Sequence, residues 1–391
     1  MIEVPAGLRS VVVGDTAVGD VRGEEGFYHY RQYSAVDLAR TRTFTDVWFL
    51  VGEGHLPDDA ETAAFSARVA AARRLPAELE EVLPALAAVD GGLTGLRAAL
   101  SVLGAARGLP PMWGASEARR ADDALLVAAA TPTILAALHR LRRGLVPVEP
   151  RDDLAGAASW LHLLSGVEPD PRLAAALECY LVATVDHGFN ASTFTGRVVA
   201  SAGSDVVSAV VAAIGAFVGP LHGGAPDRAL AALDEIGTVD AIDDYVEAKL
   251  AAGDRIMGFG HAVYRTEDPR ARMLREVAVG LRDEGLDPTG LVDLAVAVEG
   301  RVVAILAERY PDRRLHTNVE FYAGVVMALC GVPREMFTPT FAVSRVVGWC
   351  AHVLEQARER TIIRPAARYV GPVPPQPVPA ARRDAAETVS P

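Results

Sequence analysis

Apolar residues recur at helical spacing along most of this 391-residue chain, and glycine and proline interrupt the pattern at intervals. Aromatic residues make up only 6% of the composition, and Ala, Leu and Val dominate, a balance that favours helices over sheets. The sequence therefore predicts a mostly α protein. The predicted helices cover 58–75, 77–89, 92–107, 117–142, 151–165, 171–187, 191–202, 205–218, 291–309, 318–330 and 339–359, with another beginning at Asp268–Pro269.

The two ends of the chain differ from this helical body. Residues 1–35 are predicted to form short strands or turns, and the Pro- and Ala-rich stretch 371–391 to form an extended or disordered tail. The N-terminal residues lack the charged and apolar segments of a signal peptide. The most apolar run, 206–218, is shorter than the roughly 20 residues of a membrane span. We therefore expect no membrane association.

Charge and cysteine content narrow the class of protein. The formal net charge of −12 argues against a nucleic-acid-binding surface. Lys249 is the only lysine, so nearly all positive charge is on arginine, the side chain best suited to two-pronged contact with carboxylates and phosphates. Cys179, Cys330 and Cys350 lie far apart without metal-ligand spacing. We expect reduced thiols in a cytoplasmic protein that has no metal site.

Two histidines lie in glycine-rich segments, His222 in GPLHGGA and His261 in GFGHAVYR. Glycine allows the main chain to bend sharply and approach a ligand. A helix is predicted just after His222, and its N-terminal dipole should lower the pKa of this histidine and keep it neutral. A neutral imidazole can donate a hydrogen bond to a carbonyl that becomes an enolate. The loop at His261 could cradle a phosphate or an adenine. Either histidine could instead lie in an ordinary turn.

A carboxylate and three arginines also stand near motif-like segments. Glu320 lies in NVEFY, where an apolar pocket would raise its pKa and make it a competent base, unless it lies on a solvated helix face. Arg345 lies within an apolar helix, and a buried arginine needs either a bound anion or an internal salt bridge. Arg270 follows Asp-Pro, and Arg364 lies in IIRPAARYVG.

Taken together and in this order, these segments resemble the citrate synthase family. The matching segments are GFYHYRQYSAVDLA, FTDVWFLVGEGHLP, DHGFNAST, GPLHGGA, MGFGHAVYRTEDPRA, NVEFY, MFTPTFAVSRVVGW and RPAARYVGP. The resemblance extends from about residue 8 to about residue 372. It implies a citrate-synthase-like helical homodimer with a large domain (1–222 and 328–391), a small domain (223–327) and an active-site cleft between them.

The resemblance also implies a reaction and a site. Acetyl-CoA would condense with oxaloacetate, and hydrolysis would release citrate and CoA without a further cofactor. Glu320 would be the base, His222 the enolate-stabilising donor and His261 the donor to the ketone. The dicarboxylate ligands would be His187, Arg270 and Arg345, together with Arg364 from the partner subunit. The residues that contact CoA would be Arg255, Met257, Gly258, Phe259 and Gly260.

Three positions depart from the family pattern. Glu320 replaces the usual Asp, and the added methylene moves the carboxylate by about one bond length, whereas misplacement of about 1 Å can lower a rate about 10²-fold. Ala366 replaces a common second Arg, which weakens an electrostatic contact with CoA or the tail. Gln32 replaces a usual Gly in a segment that we interpret as structural.

The sequence is also compatible with other functions. A 2-methylcitrate synthase would use propionyl-CoA, and one methylene changes selectivity by only about 1–3 kcal/mol. A catalytically weak paralogue that binds CoA or a carboxylate is favoured only by the glutamate at position 320. A helical scaffold without a ligand would not explain Arg345 or the two Gly-rich histidine loops.

Overall fold

The computed structural model describes residues 2–8, 10–219, 222, 225–260 and 263–378. The chain divides into two compact units, one formed by Met1–Val13 with Ile363–Pro391 and the other by Gly14–Ile362. In the first unit, residues 371–378 are exposed and form no helix or strand, as predicted for the start of the tail. The remainder of the predicted tail, 379–391, lies outside the described residues. The second unit contains every α-helix of the described ranges.

Within those ranges the chain forms sixteen α-helices and one small sheet, which confirms the predicted mostly α fold. The helices are α1 Ala35–Thr41, α2 Phe44–Glu53, α3 Asp59–Ala72, α4 Ala77–Val89, α5 Leu93–Ala106, α6 Glu117–Arg142, α7 Gly156–Ser165, α8 Pro171–Ala183, α9 Ala191–Ser201, α10 Val206–Phe217, α11 Ala225–Ile236, α12 Ile242–Ala252, α13 Pro269–Asp283, α14 Leu291–Arg309, α15 Val319–Leu329 and α16 Phe337–Gln356.

The sheet has three antiparallel strands, β1 Gly19–Arg22, β2 Phe27–Tyr30 and β3 Tyr33–Ser34, in the order β1-β2-β3. Gly19 pairs with Tyr30, and His29 pairs with Ser34. Gln32 therefore lies in the tight turn between β2 and β3, which agrees with the structural role expected for it. The strand-or-turn prediction for the N-terminal region is confirmed over these residues.

One predicted helix end was wrong because a tertiary contact stops the helix. The helix predicted for 171–187 ends at Ala183. Beyond this point the Thr184 carbonyl accepts a hydrogen bond from Arg345 Nε at 2.9 Å, and the Thr184 hydroxyl donates to the main-chain oxygen of Tyr180 at 2.8 Å. These contacts release the following residues, including His187, into a loop.

A second helix starts later than predicted. The segment predicted to begin at residue 151 becomes helical only at Gly156. The partly buried Glu178 carboxylate accepts the main-chain N–H of Ala157 at 2.7 Å and that of Phe44 at 2.6 Å. Glu178 thus caps α7 and α2 from a distant part of the chain, a contact that local sequence does not reveal.

Helix α16 lies at the centre of the core. Most of its residues are buried, and it packs against α6, α9, α10, α8 and α2. By length and composition α6 could span a bilayer, but most of its apolar stretch is buried inside the protein. A buried helix of this kind is typical of a protein core. The central position of α16 carries Arg345 into the interior.

Candidate active site

Arg270 and Glu320 are brought close by one buried carboxylate. Asp268 caps α13 as predicted, since its side chain accepts the Arg270 N–H at 3.0 Å and Pro269 is the first helical residue. The same carboxylate pairs with Arg270 through Nε at 3.0 Å and Nη2 at 2.8 Å. Its Oδ2 also accepts the main-chain N–H of Val319 at 3.1 Å. The first turns of α13 and α15 are therefore joined through Asp268.

Glu320 is the second residue of α15, and the Asn318 side chain accepts its main-chain N–H at 3.1 Å. The Glu320 side chain is partly buried, and its carboxylate accepts no hydrogen bond from the described residues. Burial raises the pKa of Glu320 to about 7, with Arg270 opposing and Asp268 adding to the shift. The solvated-face alternative is therefore wrong, and the carboxylate has the pKa of a base that works near neutral pH.

His222 is held at the start of α9. Its Nε2 lies 2.8 Å from Ser192 Oγ and 3.2 Å from Asn190 Oδ1, and it accepts the Ser192 N–H at 3.3 Å. Burial lowers the pKa of His222 to about 4, and the positive charge of Arg345 adds to this effect. The direction of this shift agrees with the expected neutral histidine, and its larger cause is burial.

Arg345 is a buried cation near the centre of α16, with 2% of its surface exposed. Nε donates to the Thr184 carbonyl at 2.9 Å, and the guanidinium lies 4.7 Å from the centre of the Phe341 ring. Among the described residues Arg345 forms no salt bridge within 4.0 Å, whereas Arg270 pairs with Asp268. The internal salt bridge considered from sequence is thus absent for Arg345, as far as the described ranges extend. A buried guanidinium without a paired anion favours an anion-binding role.

His187 lies in the loop after α8, close to Arg270. Its Nε2 is 3.1 Å from the hydroxyl of Tyr264, and its ring centre is 5.9 Å from that of Tyr28. The Arg270 guanidinium lies 5.6 Å from the Tyr264 ring and 5.9 Å from the Tyr28 ring. Two tyrosines therefore hold His187 and Arg270 on one side of the site.

The predicted CoA segment is attached to the chain that leads into Glu320. Gly258 accepts the main-chain N–H of Asn318 at 2.9 Å, and the Gly260 N–H donates to the His316 carbonyl at 2.8 Å. Gly258 has φ +87°, and a Cβ there would lie 2.8 Å from the Phe321 ring, so glycine is required. Arg255 is exposed, whereas the other predicted CoA contacts are buried or partly buried: Met257, Gly258, Phe259 and Gly260.

Two further predicted residues are not part of the unit described above in its described ranges. His261 lies outside the described residues. Arg364 is exposed and belongs to the compact unit formed by the two chain ends. The same unit contains Ala366, also exposed.

Sequence reasoning missed three polar residues of the site. Asn190 caps α9 by accepting the Thr193 N–H at 3.1 Å, and the Asn-Ala-Ser-Thr pattern is a helix-start signal that could have identified it. Ser192 contacts His222 as described above. The buried Tyr180 hydroxyl has no hydrogen-bond partner among the described residues. No local signal marks Tyr180, because its position depends on helix packing.

Comparisons with known proteins identify related sequences. The sequence matches the family described as citrate synthase, C-terminal domain, over residues 7–366. It is 36% identical to the citrate synthase of Deinococcus radiodurans over 95% of this chain and 97% of that one. It is 37% identical to a 2-methylcitrate synthase of Mycobacterium tuberculosis over 94% of this chain and 91% of that one.

A solved structure extends the agreement to three dimensions. The crystal structure of citrate synthase from Pyrobaculum aerophilum superposes with a TM-score of 0.87 and 38% identity, covering 95% of this chain and 94% of that chain. Family match, relatives and fold all lead to one assignment: this chain belongs to the citrate synthase family.

Proposed function

We propose that the protein condenses acetyl-CoA with oxaloacetate and hydrolyses the product to citrate and CoA. The observation that carries this proposal is the pair Glu320 and His222, whose pKa values are moved in opposite directions to about 7 and about 4. Two titratable groups separated in this way are suited to act as a base and a neutral hydrogen-bond donor near neutral pH. The buried Arg345 offers a site for a carboxylate of the second substrate.

In the proposed mechanism, Glu320 removes a proton from the α-carbon of the acyl group. His222 donates a hydrogen bond to the thioester oxygen as negative charge develops there. The α-carbon attacks the ketone carbon of oxaloacetate, and His261 supplies the proton to the ketone oxygen. Water then cleaves the thioester, and CoA leaves as the thiol. No cofactor is required besides the CoA thioester, which is a substrate.

The hydrogen bonds of His222 support its proposed role as a donor. The proposed tautomer is the one in which Nε2 accepts the Ser192 N–H at 3.3 Å, which leaves the proton of the neutral ring on Nδ1. Trp349 Nε1 donates to Ser192 Oγ at 3.1 Å and helps to fix that serine. The Nδ1–H is then the group that donates to the thioester oxygen.

The oxaloacetate site would be formed by His187, Arg270 and Arg345. We also propose a homodimer in which Arg364 enters the site of the partner subunit, and a small domain over 223–327 that closes on the large domain.

The 2-methylcitrate synthase alternative is supported by the relative from M. tuberculosis, which is as similar to this chain as the citrate synthase relative.

Free-thiol release from acetyl-CoA and from propionyl-CoA, each with and without oxaloacetate, tests the proposal. We expect oxaloacetate-dependent release that is faster with acetyl-CoA. Faster release with propionyl-CoA would assign a 2-methylcitrate synthase. No release from either thioester, in folded protein that binds CoA, would favour the binding paralogue.

The pH dependence of the rate tests the role of Glu320. We expect kcat/KM for the acyl-CoA to rise with pH through an apparent pKa near 7, because only the ionised carboxylate accepts a proton. His222 stays neutral across this range, since its pKa is about 4. Rates at saturating oxaloacetate from pH 5 to 9 measure the profile. A profile that is flat from pH 5 to 9 would show that the base has no pKa near 7 and would contradict this assignment.

Replacement of Arg345 tests the anion site. Arg345→Met keeps the length and apolar contacts of the side chain, and Arg345→Ala removes both. We expect KM for oxaloacetate to rise about 10²-fold in both variants, because a charged hydrogen-bonding partner of a carboxylate is lost. KM for the acyl-CoA should change much less. An exposed control, Arg301→Met, removes a surface pair with Asp243 and should leave both constants unchanged.

A further inference from the structure

A buried carboxylate lies beside Arg345 but does not pair with it. Asp186 is 1% exposed and packs against α16 one turn after Arg345, since its Cβ lies 3.3 Å from the place that a Cβ on Gly348 would take. Its negative charge favours the charged form of the Arg345 guanidinium. The two side chains form no salt bridge within 4.0 Å. A buried arginine usually draws the nearest carboxylate into direct contact, because an unpaired buried charge is costly. The separation therefore needs a cause.

Both oxygens of Asp186 are already engaged. Oδ1 accepts from His352 Nε2 at 3.1 Å, and Oδ2 accepts the Gly188 N–H at 3.0 Å. His352 is fully buried on α16, with 0% of its surface exposed. These two donors hold the carboxylate away from the guanidinium.

The tautomer of His352 is determined by its neighbours. Arg197 Nη1 lies 3.1 Å from His352 Nδ1, and a guanidinium can only donate. Nδ1 must therefore accept, and Nε2 carries the proton that is donated to Asp186. Arg197 is itself fixed by Glu355 and by Gln356, whose Oε1 accepts from Nε at 3.0 Å. These contacts fix the His352 Nε2–H, which donates to Asp186, in place.

We propose that Asp186 is a tethered counter-charge of the oxaloacetate site, near enough to stabilise the buried Arg345 and held too far away to occupy its hydrogen-bond donors. His352 is the tether. The carboxylate competes electrostatically with the substrate carboxylate, so it limits the affinity for oxaloacetate and favours release of the product. This inference rests on the proposed function, because it assumes that Arg345 binds the dicarboxylate.

Two substitutions in this pair should change affinity in opposite directions. Asp186→Asn removes the competing charge, and we expect the Kd for oxaloacetate to fall about tenfold. His352→Phe keeps the ring but frees Asp186 to pair with Arg345, and we expect that Kd to rise about tenfold. Both variants should lower Tm, since each leaves buried polar groups without partners. A purely structural role would weaken binding in both variants.

Calorimetric titration of oxaloacetate into the full-length protein measures these constants, and CoA titrations run in parallel. In the double variant, His352→Phe should no longer weaken binding, because no carboxylate remains to be released. Asp123→Asn, which changes a buried aspartate paired with Arg119, is the matched control and should leave the Kd unchanged.

The outcomes separate this inference from the proposed function. Wild-type protein that does not bind oxaloacetate would overturn the proposed function. If the wild type binds oxaloacetate but Asp186→Asn binds it no more tightly, the tethered counter-charge alone would be overturned. Equal weakening in both single variants would assign Asp186 and His352 a structural role only.

Discussion

Replacement of Glu320 by Gln is expected to lower kcat by about 10³-fold or more, because the amide cannot accept the proton of the acyl α-carbon. The change keeps the shape of the side chain and its place on α15. Steady-state thiol release with both substrates measures the loss. A Glu320→Gln enzyme that kept a tenth of the wild-type rate would remove Glu320 from the mechanism.

The same variant should be more stable than the wild type at pH 8. Burial raises the pKa of Glu320 from 4.5 to about 7, so between these values the folded protein binds more protons at this position than the unfolded chain does. The free energy of unfolding therefore falls as pH rises through this window. The substituted amide carries no charge, so the Tm of the variant should exceed that of the wild type at pH 8 and approach it at pH 4.

Glu320→Asp provides the matched control for the role of the carboxylate. It restores the residue that is usual in the family and keeps the charge, but withdraws the carboxylate by about one bond length. We expect a rate well above that of Glu320→Gln. If the two substitutions reduced kcat equally, the position of the group rather than its basicity would account for the loss.

His222→Ala is expected to lower kcat about 10²–10³-fold, the usual effect of removing one donor that stabilises a developing oxyanion. KM for oxaloacetate should change little, since His222 is proposed to contact the thioester. Exchange of the α-protons of acetyl-CoA, measured by NMR in deuterated buffer, should slow in parallel. Unchanged exchange together with reduced turnover would place His222 in the hydrolysis step instead.

A second histidine controls for the loss of a buried imidazole. His162 is buried on α7, its Nδ1 lies 3.1 Å from the Val167 carbonyl, and it is not among the proposed site residues. His162→Ala should lower Tm without a comparable loss of kcat. Equal losses of kcat in the two variants would show that His222→Ala acts through general destabilisation.

Local patterns were sufficient for much of the fold. The predictions for α4 and α6 reproduce the observed bounds, and the Asp268–Pro269 helix start is confirmed. These features depend on hydrophobic period and on capping contacts that span only a few residues. The short helices α1 and α2 escaped prediction, although Thr43 and Asp46 form a capping box at the start of α2. Seven to ten residues carry too little periodicity to stand out.

The sequence alone determined the class of fold, through the helical spacing of its apolar residues, and the family, through the motifs that resemble citrate synthases. The candidate groups are those that the same resemblance implies. Only the tertiary structure decided the surroundings of these groups. Packing sets the burial that raises the pKa of Glu320 and lowers that of His222. It also gives Arg270 an ion-pair partner in Asp268, while Asp186 is kept off Arg345. Burial and charge balance depend on residues distant in sequence, so no local pattern could reveal them.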